Sequence, residues 1–112
     1  MSLRASRVKH VTGSSHYKRR EGWRGFWQRK TGDPFPEKCR MIHCENEAVL
    51  GAHVYIEHCG LEQFIIPCCQ PCNQDLELHQ IWNQHGHNGC QGFPTVKTPD
   101  LDIKPVVTRQ RI

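Results

Sequence analysis

The apolar positions of this chain gather between residues 48 and 82, and their spacing changes along that stretch. From 48 to 56, Val49, Leu50, Val54, Tyr55 and Ile56 favour a strand, with Gly51 as a kink or bulge. His58, Cys59 and Gly60 read as a turn, and Phe64, Ile65 and Ile66 as the returning strand, closed by Pro67. Residues 71–84 then read as a helix. Leu78, Ile81 and Trp82 give it a buried face at i, i+3 and i+4, and Asp75 and Glu77 suit its first turns. Upstream, Trp23, Phe26 and Trp27 repeat that spacing within residues 21–30 and would share one helical face. Gly22 and Gly25 weaken this helix by roughly 1 kcal/mol each relative to Ala, and Thr31 to Pro36 ends it. Residues 1–20 are polar and basic and read as a flexible lead. Residues 85–112, interrupted by Gly and Pro, read as irregular, with Val96 and Val106-Val107 as short edge strands. No internal repeat occurs.

A chain of 112 residues that is 37% hydrophobic has room for one domain with a thin core. Such domains depend on disulfides or on a metal. The seven cysteines suffice for either. Their odd number, the lack of an apolar leader after Met1 and the two-residue gap between Cys69 and Cys72 favour reduced thiols, a bound metal and a cytoplasmic setting. No apolar run approaches the roughly 20 residues that span a bilayer, so no membrane role is expected.

Cys39 and Cys44, then Cys69 and Cys72, bracket the expected hairpin. Pairs placed this way supply four thiolates to one zinc ion, at metal–sulfur distances of about 2.3 Å. The ion then contributes folding energy that the core lacks. Two alternatives stay open: Cys68 competes with Cys69, and His43 with Cys44. The expected fold is a small α+β treble-clef zinc domain (zinc knuckle, β-hairpin, helix) over residues 37–92. An extended basic, aromatic-containing arm precedes it (1–36), and an irregular tail follows (93–112). His79, His85, His87 and Cys90, with His58 and Cys59 at the hairpin turn, form a second His/Cys cluster. A second metal there stands against exposed or hydrogen-bonded histidines.

The net charge of +4 is unevenly spread: residues 1–40 hold eleven Lys or Arg against three acids, and the remainder four against eight. A basic arm on a mildly acidic domain points to an anionic partner, with nucleic acid first, DNA ahead of RNA, and acidic protein second. Lys18, Arg19, Arg20, Arg24, Arg29 and Lys30 are the candidate phosphate contacts. Trp23 and Trp27, with Phe26, would stack on exposed bases, each worth roughly 1–3 kcal/mol. The competing reading packs these aromatics onto the metal domain as a cap.

Residues 39–84 resemble the HNH endonuclease family, in its branch with a four-cysteine zinc site. The resemblance implies a strand bearing an Asp-His pair, the His as general base, and a final His or Asn directly after the last zinc cysteine. His53 falls at the general-base position and Asn73 at the final metal position. Ala52 stands where the family has its metal-binding Asp, and Phe64 or a neighbour where it has its middle Asn. A hydrolytic site needs a base near neutrality and a cation at the phosphate. Asn73 brings no negative charge to a second divalent metal, so a carboxylate such as Glu57 or Glu62 would have to reach in. The expected function is a zinc-stabilised nucleic-acid-binding module on an HNH-like scaffold with a degenerate catalytic motif. The alternatives are a metal-dependent endonuclease using His53 and an adaptor that presents tryptophans to a protein partner.

Overall fold

The computed structural model describes residues 5–11, 22–83 and 89–97. Lys18, Arg19, Arg20, His85, His87 and Val106-Val107 lie outside these residues.

Five strands form one antiparallel sheet in the order β4-β1-β2-β3-β5. Its centre is the hairpin of β2 (Leu50–Ile56) and β3 (Gln63–Cys68). The strands alternate, as a sheet buried on both faces requires. Ala52, Val54 and Ile56 with Phe64 and Ile66 face one core cluster, while His53 and Ile65 face the other side. Pro67 does not close β3, which runs on to Cys68 opposite Leu50.

The basic lead contains a strand. β1 (Ala5–His10) lies between β2 and β4, with Val8 opposite Ile56 and Ser6 opposite Ile81. Only Val8 is apolar among its inward positions, which is why its composition reads as solvent-exposed arm. Ser6 is buried because its hydroxyl donates to Asn83 Oδ1 at 2.7 Å, which offsets its desolvation.

The helix expected over 71–84 is overturned. α2 spans Gln70–Gln74, a 3-10 turn follows at Leu76–Leu78, and Gln80–Trp82 is strand β4. The i, i+3, i+4 pattern of Leu78, Ile81 and Trp82 does not share a face, with Ile81 fully buried, Leu78 82% exposed and Trp82 44% exposed. Gln80, Ile81 and Trp82 also alternate with period two. The free edge of β1 accepts these residues as a strand, so tertiary pairing overrides the helical period.

α1 (Gly22–Thr31) forms as expected and lies on the His53 face of the sheet, against β2 and β3. Phe26 and Trp27 are buried with Phe35, Ala48, Ile65 and Val96, and Trp23 packs alongside. Trp27 meets Phe35 edge-on at 5.5 Å and Trp23 meets Phe26 edge-on at 5.3 Å. Burying two large rings, each hiding about 150–250 Å², compensates for the two glycines. Gly32, at φ 76°, ends the helix by returning its N–H to Gln28 O at 2.9 Å. β5 (Thr95–Val96) pairs with Gln63 and Phe64, in line with the edge strand expected at Val96. Among the described residues no helix is long and apolar enough to cross a membrane.

Candidate metal centre

The second core cluster, on the sheet face opposite α1, closes over the four expected cysteines. Cys39 and Cys44 sit on a loop tied to the sheet at both ends. The Arg40 N–H donates to Pro67 O at 3.0 Å and the Ile42 N–H to Gln80 O at 2.9 Å. Within the loop a tight turn returns the Cys44 N–H to Met41 O at 3.2 Å, and His43 takes the left-handed conformation at φ 64°. That conformation is uncommon outside glycine but tolerated by His, and it lets a four-residue gap bring Cys44 back toward Cys39. Cys69 and Cys72 come from the end of β3 and from α2, whose N-cap is Cys69.

The four sulfurs lie within 4.8 Å of one another. Cys44 Sγ is 3.8 Å from Cys69 Sγ and 3.7 Å from Cys72 Sγ. A tetrahedral ion with bonds of about 2.3 Å requires sulfur–sulfur edges of about 3.8 Å. These two edges already have that length, so the donor set fits one metal ion.

Both open alternatives resolve. Cys68, the last residue of β3, points into the apolar core, and burial pushes its thiol well above the usual range. His43 is exposed, with its ring 6.1 Å from that of Trp82. The sulfurs also have polar neighbours that spacing did not reveal. Burial raises the Cys69 thiol, but the Asn46 side-chain amide, 3.5 Å away, and the Cys72 backbone N–H outweigh it and hold the thiol at about 6. At Cys44 the Asn46 backbone N–H lowers the thiol, yet burial and the adjoining sulfurs leave it raised. Burial, then the Cys69 and Cys44 thiols, pushes Cys72 up. Adjoining thiols with proton affinities as unequal as those of Cys44, Cys69 and Cys72 share protons as a unit, and a cation held by the group would replace those protons. Asn46 escaped sequence reasoning. Its one signal is an amide two residues after a ligand, where sulfur-directed N–H groups are useful.

The proposed catalytic pair does not come together. His53 is 2% exposed, with Nε2 2.9 Å from Gln63 Oε1, Nδ1 buried without a hydrogen-bond partner, and its ring centroid 4.5 Å from that of Trp23. Burial lowers its pKa and the Gln63 hydrogen bond opposes this only in part. Asn73 follows Cys72 on the other side of the sheet, where its carbonyl oxygen is 2.7 Å from His10 Nε2. Adjacent strand residues point to opposite faces, so it is His10, level with Val54, that meets Asn73. Glu57 Oε1 accepts from the Arg7 N–H at 3.0 Å, and Glu62 pairs with Lys97 at 3.7 Å. Neither contact places a carboxylate beside His53.

The remaining candidates are dispersed. Among the described residues the Cys39, Cys44, Cys69, Cys72 group is the one that could hold a metal. His79 Nδ1 lies 2.7 Å from Asp75 O. On α1, Arg24, Arg29 and Lys30 are exposed while Trp27 is 8% exposed. Trp27 is therefore packed as the cap of the sheet, which corrects its assignment to base stacking. Arg24 lies over the Phe35 ring at 4.9 Å, and Arg29 and Lys30 lie over Phe26 at 5.4 and 5.6 Å.

The chain matches no family model, no curated protein and no solved structure.

Proposed function

We propose that this chain is a zinc-stabilised nucleic-acid-binding module. Cys39, Cys44, Cys69 and Cys72 hold one structural zinc in a treble-clef arrangement, and the exposed face of α1 meets the phosphate backbone. Zinc supplies a crosslink between the Cys39–Cys44 loop and the Cys69–Cys72 segment, which also share apolar packing and the Asn46–Cys69 contact. The thiolate set is closed by four protein ligands, as structural sites are, and leaves no position for substrate.

The observation that carries the nucleic-acid reading is the polarity of α1. Its inner face anchors Phe26 and Trp27, and its outer positions carry Arg24, Arg29 and Lys30 with no acidic residue from Gly22 to Thr31. The guanidinium and ammonium groups themselves lie over aromatic rings, which leaves less side-chain entropy to lose when phosphate is bound. Arg7 and Lys9 lie on the same side of the sheet, but Glu57 and Glu77 line the groove beside them, so α1 is the purer cationic surface. DNA ranks ahead of RNA as the partner. Hydrolysis is not part of the proposal, because His53 is covered by Trp23 and separated from Asn73 by the sheet.

The test combines metal content with salt-dependent binding. Native mass spectrometry is expected to give one zinc per chain. Fluorescence anisotropy with a duplex DNA and a single-stranded RNA should show affinity falling steeply with salt. Replacing Arg24, Arg29 and Lys30 by Ala together should flatten the log–log slope by about 2–3 units while zinc content stays the same. Binding that is indifferent to salt, or a triple variant that binds as well as the parent, sinks the reading.

A further inference from the structure

The sheet extends beyond the helix that covers it. α1 packs on β2 and β3, and the same side of β1 and β4 carries exposed side chains. Val8 and Ile81 enter the core on the opposite side, so Arg7, Lys9, Gln80 and Trp82 point outward, and all four are exposed. Strand pairing fixes their order along β1. Trp82 stands opposite Ala5, Gln80 opposite Arg7, and the half-buried Tyr55 of β2 opposite Lys9. A groove of about 320 Å³ runs over this part of β1. Arg7 and Lys9 line it from β1, Tyr55 and Glu57 from the β2 side, and Glu77 from the 3-10 turn that precedes β4.

We infer that this face binds an unpaired stretch of nucleic acid laid along β1. One base enters the groove against Tyr55, another stacks on Trp82, and the phosphates between them meet Arg7 and Lys9. The inference rests on the nucleic-acid reading above and adds a preference for single strands. α1 does not supply that preference, because its Phe26 and Trp27 are buried and its outer positions offer cations alone.

The mixed charge of the groove decides which part of the nucleic acid enters it. A phosphate placed inside would meet the Glu57 and Glu77 carboxylates as well as Arg7 and Lys9. A base carries no charge, stacks on an aromatic ring, and donates its ring and amino N–H groups to carboxylates. Glu57 is fixed for this purpose, with Oε1 accepting from the Arg7 N–H at 3.0 Å across the strand pair. The long side chains of Arg7 and Lys9 then serve the backbone at the rim of the groove. In a duplex the same base edges are already paired and the rings already stacked, so neither contact forms. The spacing of the two rings also suits a strand. Strand geometry puts the Cα atoms of Tyr55 and Trp82 roughly 17 Å apart, so they engage different bases of one extended chain. Trp82 is held at its end of the face by the His43 ring, nearly perpendicular to it at 6.1 Å.

The experiment titrates the metal-loaded full chain into a labelled mixed-sequence DNA strand of about 12 nucleotides, free or annealed to its complement, and reads fluorescence anisotropy. The single strand is expected to bind roughly tenfold tighter than the duplex. Tyr55→Leu, which keeps apolar bulk in a half-buried position, and Trp82→Ala, at an exposed one, should each weaken single-strand binding about fivefold or more. Tyr55→Phe keeps the ring and should bind as the parent does. Amide NMR signals of Arg7 to Lys9 and of Tyr55 to Glu57 should shift when the single strand is added. A duplex bound as tightly as the single strand would overturn this site and leave the α1 reading standing. So would Tyr55→Leu and Trp82→Ala proteins that bind the single strand like the parent, or a Tyr55→Phe protein as weak as Tyr55→Leu. Failure of both nucleic acids to bind would sink the α1 reading and this one together.

Discussion

Gly51→Ala tests how closely α1 is seated on the sheet. Gly51 lies in β2 opposite Pro67, on the face that carries His53. A Cβ added there would stand 2.7 Å from Ile65 Cγ2 and 2.9 Å from both the carbonyl carbon and the Cβ of Trp23. Carbon atoms rest at about 3.5–4.0 Å, so clearance of roughly 0.6–1.3 Å is missing. Two of the three atoms are the main chain and Cβ of α1, and no shortening of the Trp23 side chain removes them. α1 must lift as a body, and with it Phe26 and Trp27 lose contact with Ile65. Overpacking of this kind costs about 1–3 kcal/mol, and the lower chain entropy of Ala in a strand offsets about 0.5–1 kcal/mol. A net loss of about 1–2 kcal/mol lowers Tm by roughly 5–10 °C for a domain near 100 residues. Thermal unfolding of the metal-loaded protein, followed by far-UV and near-UV circular dichroism, reads both the loss and the repacking of the aromatics. Gly60→Ala is the control. Nothing lies within 4 Å of its added Cβ, and its φ of 70° gives a purely conformational penalty, about 1–2 kcal/mol, with an unchanged near-UV spectrum. A Gly51→Ala protein as stable as the parent, with an unaltered aromatic signal, would refute the close approach and return Gly51 to a simple kink.

Two further predictions test the sheet from its other elements. Ile81→Ala should cost about 2–4 kcal/mol because Ile81 is fully buried in β4, whereas Leu78→Ala should stay within about 0.5 kcal/mol because Leu78 is 82% exposed. Urea unfolding that gave the two variants similar losses would restore the helical face. His53 should titrate below its usual 6.5 in a proton NMR titration, since burial disfavours the imidazolium. The sign follows: the unfolded chain takes up this proton more readily, so the contribution of His53 is complete above pH 6.5 and declines as pH falls through the folded value. A His53 resonance that moved at or above pH 6.5 would show the ring to be solvated.

The four clustered cysteines, the central hairpin and the aromatic face of α1 were legible because each is local. Two cysteines three positions apart, a period of two broken by a turn, and three aromatics one helical turn apart all meet their neighbours through short stretches of chain. The helix expected at 71–84 failed for a specific reason. Leu78, Ile81 and Trp82 satisfy a helical period, and Gln80 to Trp82 equally satisfy a strand period. Only the open edge of β1, some seventy residues away, breaks the tie. β1 itself was hidden because Arg7 and Lys9 alternate with just one apolar inward residue, so a strand paired on both edges carries almost no hydrophobic signal.

The sequence by itself therefore determined that two cysteine pairs would gather, short of the choices between Cys68 and Cys69 and between His43 and Cys44, and that a small α+β domain would form around them. Covalent spacing limits which thiolates can reach one ion. The tertiary structure alone decided that His53 faces Trp23 while His10 meets the Asn73 carbonyl, and that Trp27 packs against the sheet as a cap. Those outcomes depend on strand register and on which edge pairs with which. Both are set by backbone hydrogen bonds, and one residue of register exchanges the two faces of a sheet.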